Sequence, residues 1–189
     1  MKKILIIIVL FLNQLSFGQY FSLTQNGFIS KENKDYIVID FPGEKQIDIY
    51  KKVLNAVNTI YTDPKEVLSV VDGQSITIKG YEEKKLDVKE KLNYLQIGKS
   101  TIKYDISYSL SILFKDDKIR INSPSFECRK WYDNVGWIYL RLMKDNDTKR
   151  GIYNKSGKLV AEGADKGLND YFNSLINQIV DKSKNINEW

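Results

Sequence analysis

The densest mixture of arginine and large aromatic side chains lies in the later part of this sequence. The residues concerned are Arg129, Lys130, Trp131, Tyr132, Trp137 and Tyr139. Tryptophan, tyrosine and arginine dominate binding hot spots, so this cluster predicts a site for a ligand or a partner. The alternative is that these aromatics cap the open end of the core, which the high average burial of tryptophan favours.

The residue types present support nucleophilic catalysis poorly. The sequence contains no histidine, which excludes Ser-His and Cys-His arrangements, and Cys128, its sole cysteine, therefore has no imidazole base. Free cysteine often behaves as a small hydrophobe, so we expect a buried, inert thiol. Paired carboxylates could still hydrolyse a sugar bond, and such a pair among the 24 acidic residues is the enzymatic alternative.

One short acidic segment, Asp145-Asn146-Asp147, is similar to the start of a calcium loop. The rest of the ligand set fails, because Lys149 stands at the fifth position, Arg150 replaces the required glycine and Ser156 replaces the final glutamate. Zinc would need histidines or a second cysteine. We therefore expect no metal site and no cofactor.

The first 18 residues have the order of a secretory signal peptide. Lys2-Lys3 is a basic start, residues 4–12 are apolar, and residues 16–18 are mostly small. The apolar run is shorter than the roughly 20 residues that span a bilayer, so a retained membrane anchor is the weaker interpretation. We expect cleavage before Gln19, and export to the periplasm or the medium.

The length of the chain that remains after residue 18, 171 of the 189 residues, is typical of one globular domain. Removal of residues 1–18 takes away two lysines and leaves 27 basic against 24 acidic residues, a net charge of about +3. A small excess spread along the chain is no footprint for nucleic acid. A single cysteine forms no internal disulfide, so packing must supply the stability of the fold.

Residues 101–121 carry the longest alternation of apolar and polar residues, which predicts a β-hairpin. The apolar positions of its first strand are Ile102, Tyr104, Ile106, Tyr108, Leu110, Ile112 and Phe114. A period of two places them on one face, towards a core. Asp116-Asp117 supplies the turn, and so brings Phe114 opposite Ile119 and Ile112 opposite Ile121. The residues between them predict a solvated face: Lys103, Asp105, Ser107, Ser109 and Ser111.

The other segments divide by their periodicity and turn residues. The pattern predicts a strand at 36–41, a hairpin at 67–79 and a small hairpin at 151–160. Residues 131–143 fit both a strand and a helix, and we prefer the strand. Amphipathic helices are predicted at 44–61 and from Asp165 onwards. Residues 20–34 predict a loose lead-in with at most a short edge strand, and the charge-dense residues 82–91 a solvated excursion.

This order of elements predicts an α+β fold. Each helix has one apolar stripe to bury, and the central strand has one apolar face to receive it. We therefore expect an antiparallel β-sheet with both amphipathic helices packed on one of its faces.

Several of these segments resemble a bacterial family of exported domains of unknown function. The matching residues are 36–41, Ile49-Tyr50, 76–80 and, most specifically, 113–121. The resemblance covers residues 36–130 and leaves 131–189 as a variable hairpin plus the C-terminal helix. It implies a TATA-binding-protein-like fold and an exported location, and it brings no established activity or catalytic residues.

Two functions follow from the sequence. The first is a non-catalytic binding module of the cell envelope that recognises a protein, a glycan or another small ligand. The second is a carboxylate hydrolase that acts on a glycan or another envelope component. A binding module should show an exposed aromatic patch, whereas an enzyme should show a cleft with converging acids. The TATA-binding protein applies its sheet to DNA with apolar wedges, but the predicted solvated face lacks aromatics, so we expect no nucleic-acid partner.

Overall fold

The computed structural model describes residues 18–91, 97–144 and 150–185, which form ten strands and three helices. Residues 1–17 of the predicted signal peptide and the calcium-like segment 145–147 lie outside these ranges. The elements are, in chain order, β1 Phe21–Thr24, β2 Gly27–Ser30, β3 Tyr36–Asp40, α1 Gln46–Ile60, α2 Pro64–Val67, β4 Leu68–Val71, β5 Ser75–Glu90, β6 Ser100–Lys115, β7 Lys118–Asn122, β8 Ser125–Tyr132, β9 Gly136–Met143, β10 Gly151–Tyr153 and α3 Ala164–Lys184.

The predicted central hairpin is β6 and β7, and its predicted register is confirmed. Phe114 lies opposite Ile119 and Ile112 opposite Ile121. Asp117 occupies the turn with φ at 66°, a left-handed conformation that aspartate tolerates better than most residues. The two turn carboxylates also accept backbone hydrogen bonds at the start of α1: Asp116 from Gln46 N at 2.8 Å and Asp117 from Gly43 N at 2.7 Å.

Strand β6 is the centre of an eight-stranded sheet with the order β10-β9-β8-β6-β5-β4. One of its edges pairs with β5 along its length, while the other pairs first with β8 and then with β7, which continues to β3. These pairs are antiparallel, and β10 beside β9 is parallel. The structure is thus a mixed α/β fold with a mostly antiparallel sheet.

Both long helices bury the apolar stripe that their periodicity predicts. Helix α1 contacts β6 and β7, α3 contacts β1 and β5, and the two helices contact each other. The buried apolar side chains of α1 and α3 are Ile49, Tyr50, Val53, Ala56 and Val57, then Ala164, Leu168, Phe172, Leu175, Ile176, Ile179 and Val180. Burial of these stripes is the main stabilising contribution of the helices.

Residues 20–34 form more structure than a loose lead-in with a short edge strand. Strands β1 and β2 form a hairpin there, and Phe21 is buried in the core. An asparagine on α3 holds it: Asn173 Oδ1 accepts hydrogen bonds from the backbone of Tyr20 and Phe21 at 2.7 and 2.9 Å, and Asn173 Nδ2 donates to Phe21 O at 2.9 Å. The Asn173 side chain thus supplies the hydrogen bonds that a neighbouring strand would give to the backbone at the free edge of β1.

The prediction of a solvated excursion at residues 82–91 is wrong. Strand β5 continues to Glu90, with a register shift between Glu82 and Leu86. Leu86 and Val88 are buried opposite Tyr104 and Ile102, while Asp87 between them is exposed on the other face. A short period of two inside a charged run is enough for a strand when a long partner strand lies beside it.

The later segments form more sheet than the sequence indicates. The predicted strand within 131–143 is confirmed as β9, and its partner β8 already begins at Ser125. In the predicted hairpin at 151–160, Tyr153 pairs with Leu159 across a tight turn, and β10 also joins β9 as a parallel strand. Across the described ranges, no helix is both long and apolar enough to cross a membrane.

Candidate binding surface on the open sheet face

The strand period divides the six predicted site residues between two faces of the β8–β9 hairpin. Residues opposite each other on antiparallel strands share a face. Arg129 lies opposite Asp105 on one side and Tyr139 on the other, and Trp131 lies opposite Trp137. The four site residues in these pairs therefore lie on the sheet face opposite the one that carries buried Ile106. We call their face the open face. Lys130 and Tyr132 lie on the other face.

The two tryptophans are outside the core. Trp131 is 52% exposed and Trp137 is 40% exposed. Their rings are in edge-to-face contact, with centroids 5.3 Å apart and planes at 69°. The alternative that they cap the open end of the core is wrong, because both lie on the face of β8 and β9 opposite the buried pair Cys128 and Leu140. They form an exposed aromatic pair on the open face.

Arg129 is held between aromatic rings on the same face. Its guanidinium carbon lies 4.3 Å from the centroid of Trp137 and 5.8 Å from the centroid of Tyr81. Its Nε is buried and has no hydrogen-bond partner among the described residues. A stacked guanidinium contributes about 0.5–1 kcal/mol at an exposed site and loses side-chain freedom before any partner arrives. Arg129 is therefore a preorganised cation beside the tryptophan pair.

The prediction that Asp105 belongs to a solvated face is wrong, because this residue is only 8% exposed. It accepts hydrogen bonds from the Tyr81 hydroxyl and from Lys84 N, both at 2.8 Å. The hydrogen bond to Asp105 raises the pKa of Tyr81, so this phenol stays protonated at neutral pH. Asp105 thus fixes the ring against which Arg129 rests.

We name this set the aromatic row: Asp105, Tyr81, Arg129, Trp137 and Trp131. The arginine and aromatic pattern of the sequence predicted Arg129, Trp131 and Trp137 as site residues. Tyr81 and Asp105 were not predicted, because they lie on β5 and β6 and come next to the other three through strand pairing. No local sequence signal could have found them.

Lys130 and Tyr132 have different surroundings. The Lys130 ammonium lies 5.2 Å from the centroid of the Tyr132 ring. Tyr132 neighbours a half-buried group in which Arg150 Nη1 donates to the Tyr104 hydroxyl at 3.0 Å and lies 3.5 Å from Glu90 Oε2. Burial raises the pKa of Glu90. This group packs beneath the β8–β9 hairpin and supports it from the face opposite the tryptophans.

The remaining chemistry predicted from sequence can be placed as well. Cys128 is fully buried and burial raises its pKa to about 12, so the inert thiol is confirmed. Within the described ranges, no three Asp, Glu or Cys side chains converge as metal ligands. Two acidic residues, Glu82 and Asp170, line a cleft on the helical side, where Glu82 accepts a hydrogen bond from Tyr171 at 3.2 Å.

Comparisons with known proteins identify the fold. No protein-family model matches the chain, and a search of curated proteins found no match. Among solved structures, a TBP-like (TATA-binding-protein-like) protein from Parabacteroides distasonis ATCC 8503 has a TM-score of 0.50 at 13% identity, over 79% of this chain and 91% of that one. A DUF4468 family protein from Bacteroides ovatus ATCC 8483 has a TM-score of 0.52 at 15% identity, over 82% of this chain and 87% of that one. The TATA-binding-protein-like fold implied by the sequence resemblance is confirmed.

Proposed function

We propose that this protein is an exported, non-catalytic binding module of the cell envelope that binds a partner protein through the aromatic row. The observation that carries the proposal is the exposed pair of Trp131 and Trp137 beside the stacked guanidinium of Arg129. Interface hot spots have this composition and this arrangement, in which a few large, rigid side chains supply most of the binding energy.

The position of the helices supports this choice of face. In this proposal α1 and α3 both pack on the sheet face that carries Ile106, as their contacts with β5, β6 and β7 indicate. The opposite face, with the aromatic row, is then available to a partner. Further exposed apolar side chains lie on it, including Val38 and Leu113, which flank Arg120 on neighbouring strands. An apolar area interrupted by arginines is typical of protein interfaces.

The composition of the open face favours a protein over a nucleic acid. Its middle carries Ser107, Ser109 and Ser111, which are small and uncharged, and acidic Glu127 lies beside Ser107. A nucleic-acid surface needs a continuous basic track along the phosphates. A glycan is the other partner class that exposed tryptophans suit, so it is an outcome of the test below.

Replacing either tryptophan should abolish partner binding while leaving the fold intact. We expect Trp131→Ala and Trp137→Ala to lower the free energy of unfolding by less than about 1 kcal/mol, since the side chains are exposed and the lost cation–π contact is small. The measurement is capture of envelope-extract proteins on the immobilised mature chain, read by mass spectrometry, with thermal melts of each variant.

Val70→Ala is the matched control, because Val70 is 48% exposed on β4 at the other end of the sheet. It should keep the partner that both tryptophan variants lose. Equal capture by all three variants would refute the site, and so would tryptophan variants that melt far below wild type. Capture blocked by an envelope glycan would reassign the partner class, and glycan hydrolysis by wild type would contradict the non-catalytic role.

Export is the second part of the proposal. We expect the mature chain to begin at or near Gln19, because residues 1–18 have the order of a signal peptide. The first strand, β1, starts at Phe21, so this cleavage leaves the β1–β2 hairpin and its contacts with Asn173 in place. The measurement is the intact mass of the protein recovered from periplasm and medium. A mature chain that retains residues 1–12 would overturn the assignment.

A further inference from the structure

A cleft of about 510 Å³ lies on the helical side of the sheet, away from the aromatic row. Residues from the end of α1, from β5, from β6 and from α3 line it, among them Tyr61, Glu82, Lys85, Tyr108, Tyr171 and Gln178. Its volume falls within the roughly 300–1,000 Å³ that is usual for small-molecule sites. The cleft is therefore large enough for a ligand of more than one ring.

Three tyrosines and a carboxylate lie together in the cleft. The Tyr61 and Tyr108 hydroxyls share a hydrogen bond of 2.8 Å, the Tyr108 ring meets the Tyr171 ring edge to face with centroids 5.5 Å apart, and Tyr171 donates to Glu82 Oε1 at 3.2 Å. Burial raises the pKa of all three tyrosines, so each keeps its proton at neutral pH. Each hydroxyl thus has one proton to donate.

The hydroxyls of Tyr61 and Tyr108 offer a ligand both kinds of hydrogen bond. A carboxylate only accepts, so the Tyr171 proton is used by Glu82. Within the Tyr61–Tyr108 pair one hydroxyl donates to the other, so the pair keeps one proton and free lone pairs. Hydroxyl groups both donate and accept, so a ligand that carries hydroxyls matches this pair.

Two glycines make room for this arrangement. Gly80 lies opposite Tyr108, and a Cβ at Gly80 would stand 2.1 Å from the Tyr108 ring. The Tyr108 ring therefore lies across β5 at Gly80, where any residue with a Cβ would clash with it. This position places the Tyr108 hydroxyl beside Tyr61. On α3, a Cβ at Gly167 would stand 2.7 Å from Leu86 Cδ1, so Gly167 lets the helix approach β5 closely. The cleft is a built feature of the fold.

The charges in the lining select a neutral ligand. The Lys85 ammonium lies 5.7 Å from the centroid of the Tyr171 ring in a cation–π contact. Its charge there repels a second cation. Glu82 and Asp170 disfavour an anion. Ile60 and Leu175 add apolar walls beside these polar groups. A neutral molecule with several hydroxyl donors and flat apolar faces meets all of these conditions.

We propose that this cleft binds a neutral saccharide, with the Tyr61 and Tyr108 hydroxyls hydrogen bonded to sugar hydroxyls. The site is distinct from the aromatic row, and it does not depend on the protein-binding function proposed above. Gln178 and Ser174, which are exposed on α3 and hydrogen bond each other at 3.3 Å, offer further polar contacts at the mouth of the cleft.

The test is titration of the mature chain with maltose, cellobiose and N,N′-diacetylchitobiose, followed by calorimetry and by the NMR signals of tyrosine. We expect saturable binding of at least one disaccharide. Tyr61→Phe should weaken it roughly three- to tenfold, the usual effect of losing one hydrogen bond between neutral groups. Gln178→Ala, at an exposed position that the fold does not need, should also weaken binding.

Tyr36→Phe is the matched control, since Tyr36 lies on β3 opposite Asn122, outside the cleft, and should bind like wild type. Absence of saturable binding by all three disaccharides would overturn the proposal. Unchanged affinity in both Tyr61→Phe and Gln178→Ala would do so too, as would tighter binding of the diamine cadaverine than of any sugar. Trp131→Ala should retain sugar binding. A failure of the sugar-binding proposal can therefore be told apart from a failure of the proposed protein binding at the aromatic row.

Discussion

Phe114→Ala is expected to lower the free energy of unfolding by about 3–5 kcal/mol, among the largest effects that a single substitution in this chain should produce. Phe114 is 4% exposed, and its ring meets Tyr50 of α1 edge to face with centroids 5.4 Å apart. It also lies opposite Ile119 in the central hairpin. Truncation removes a contact between the sheet and α1 and leaves a cavity that these neighbours cannot fill.

Ser109→Ala is the control for Phe114→Ala, because Ser109 belongs to the same strand and points to the open face. It should change the free energy of unfolding by less than about 0.5 kcal/mol. Urea melts of both variants give the two values on one scale. Equal losses would mean that the two faces of β6 are assigned the wrong way round.

Leu86→Ala is expected to cost about 2–5 kcal/mol. The side chain is 1% exposed, lies opposite Tyr104 and contacts the α3 backbone at Gly167. Its loss would open a void where α3 approaches β5 most closely. The same melts report it, and the result decides whether the charged segment 82–91 is a core strand or a solvated excursion.

Asp87→Ala is the neighbouring control. Asp87 is exposed on the opposite face and makes a surface ion pair with Lys103 at 3.8 Å, so its removal should cost less than about 1 kcal/mol. If Leu86→Ala proves as mild as Asp87→Ala, this half of β5 does not pack as described, and the wall that it forms beside the cleft is in question.

The two proposed sites meet in β5. Tyr81 and Glu82 are consecutive residues, yet Tyr81 belongs to the aromatic row and Glu82 accepts the hydrogen bond of Tyr171 in the cleft. A period of two sends neighbouring side chains to opposite faces of a sheet. One strand therefore supplies a residue to each site, just before its register shift.

The sequence by itself determined the elements that have a strong local period. The register of the central hairpin followed from alternation and from the position of Asp116-Asp117, and both long helices followed from their apolar stripes. The sequence also located Trp131 and Trp137 as candidate site residues. These features are set by backbone geometry over a few residues, which a local pattern records.

Tertiary structure alone decided which of these residues meet and which face water. Asp105 is buried because Tyr81 and Lys84 donate to it, and Phe21 is buried because Asn173, far along the chain, satisfies its backbone. The tryptophans are exposed because β8 and β9 turn them to the face opposite buried Cys128 and Leu140. Burial and hydrogen bonding depend on partners distant in sequence, and no local period encodes the identity of those partners.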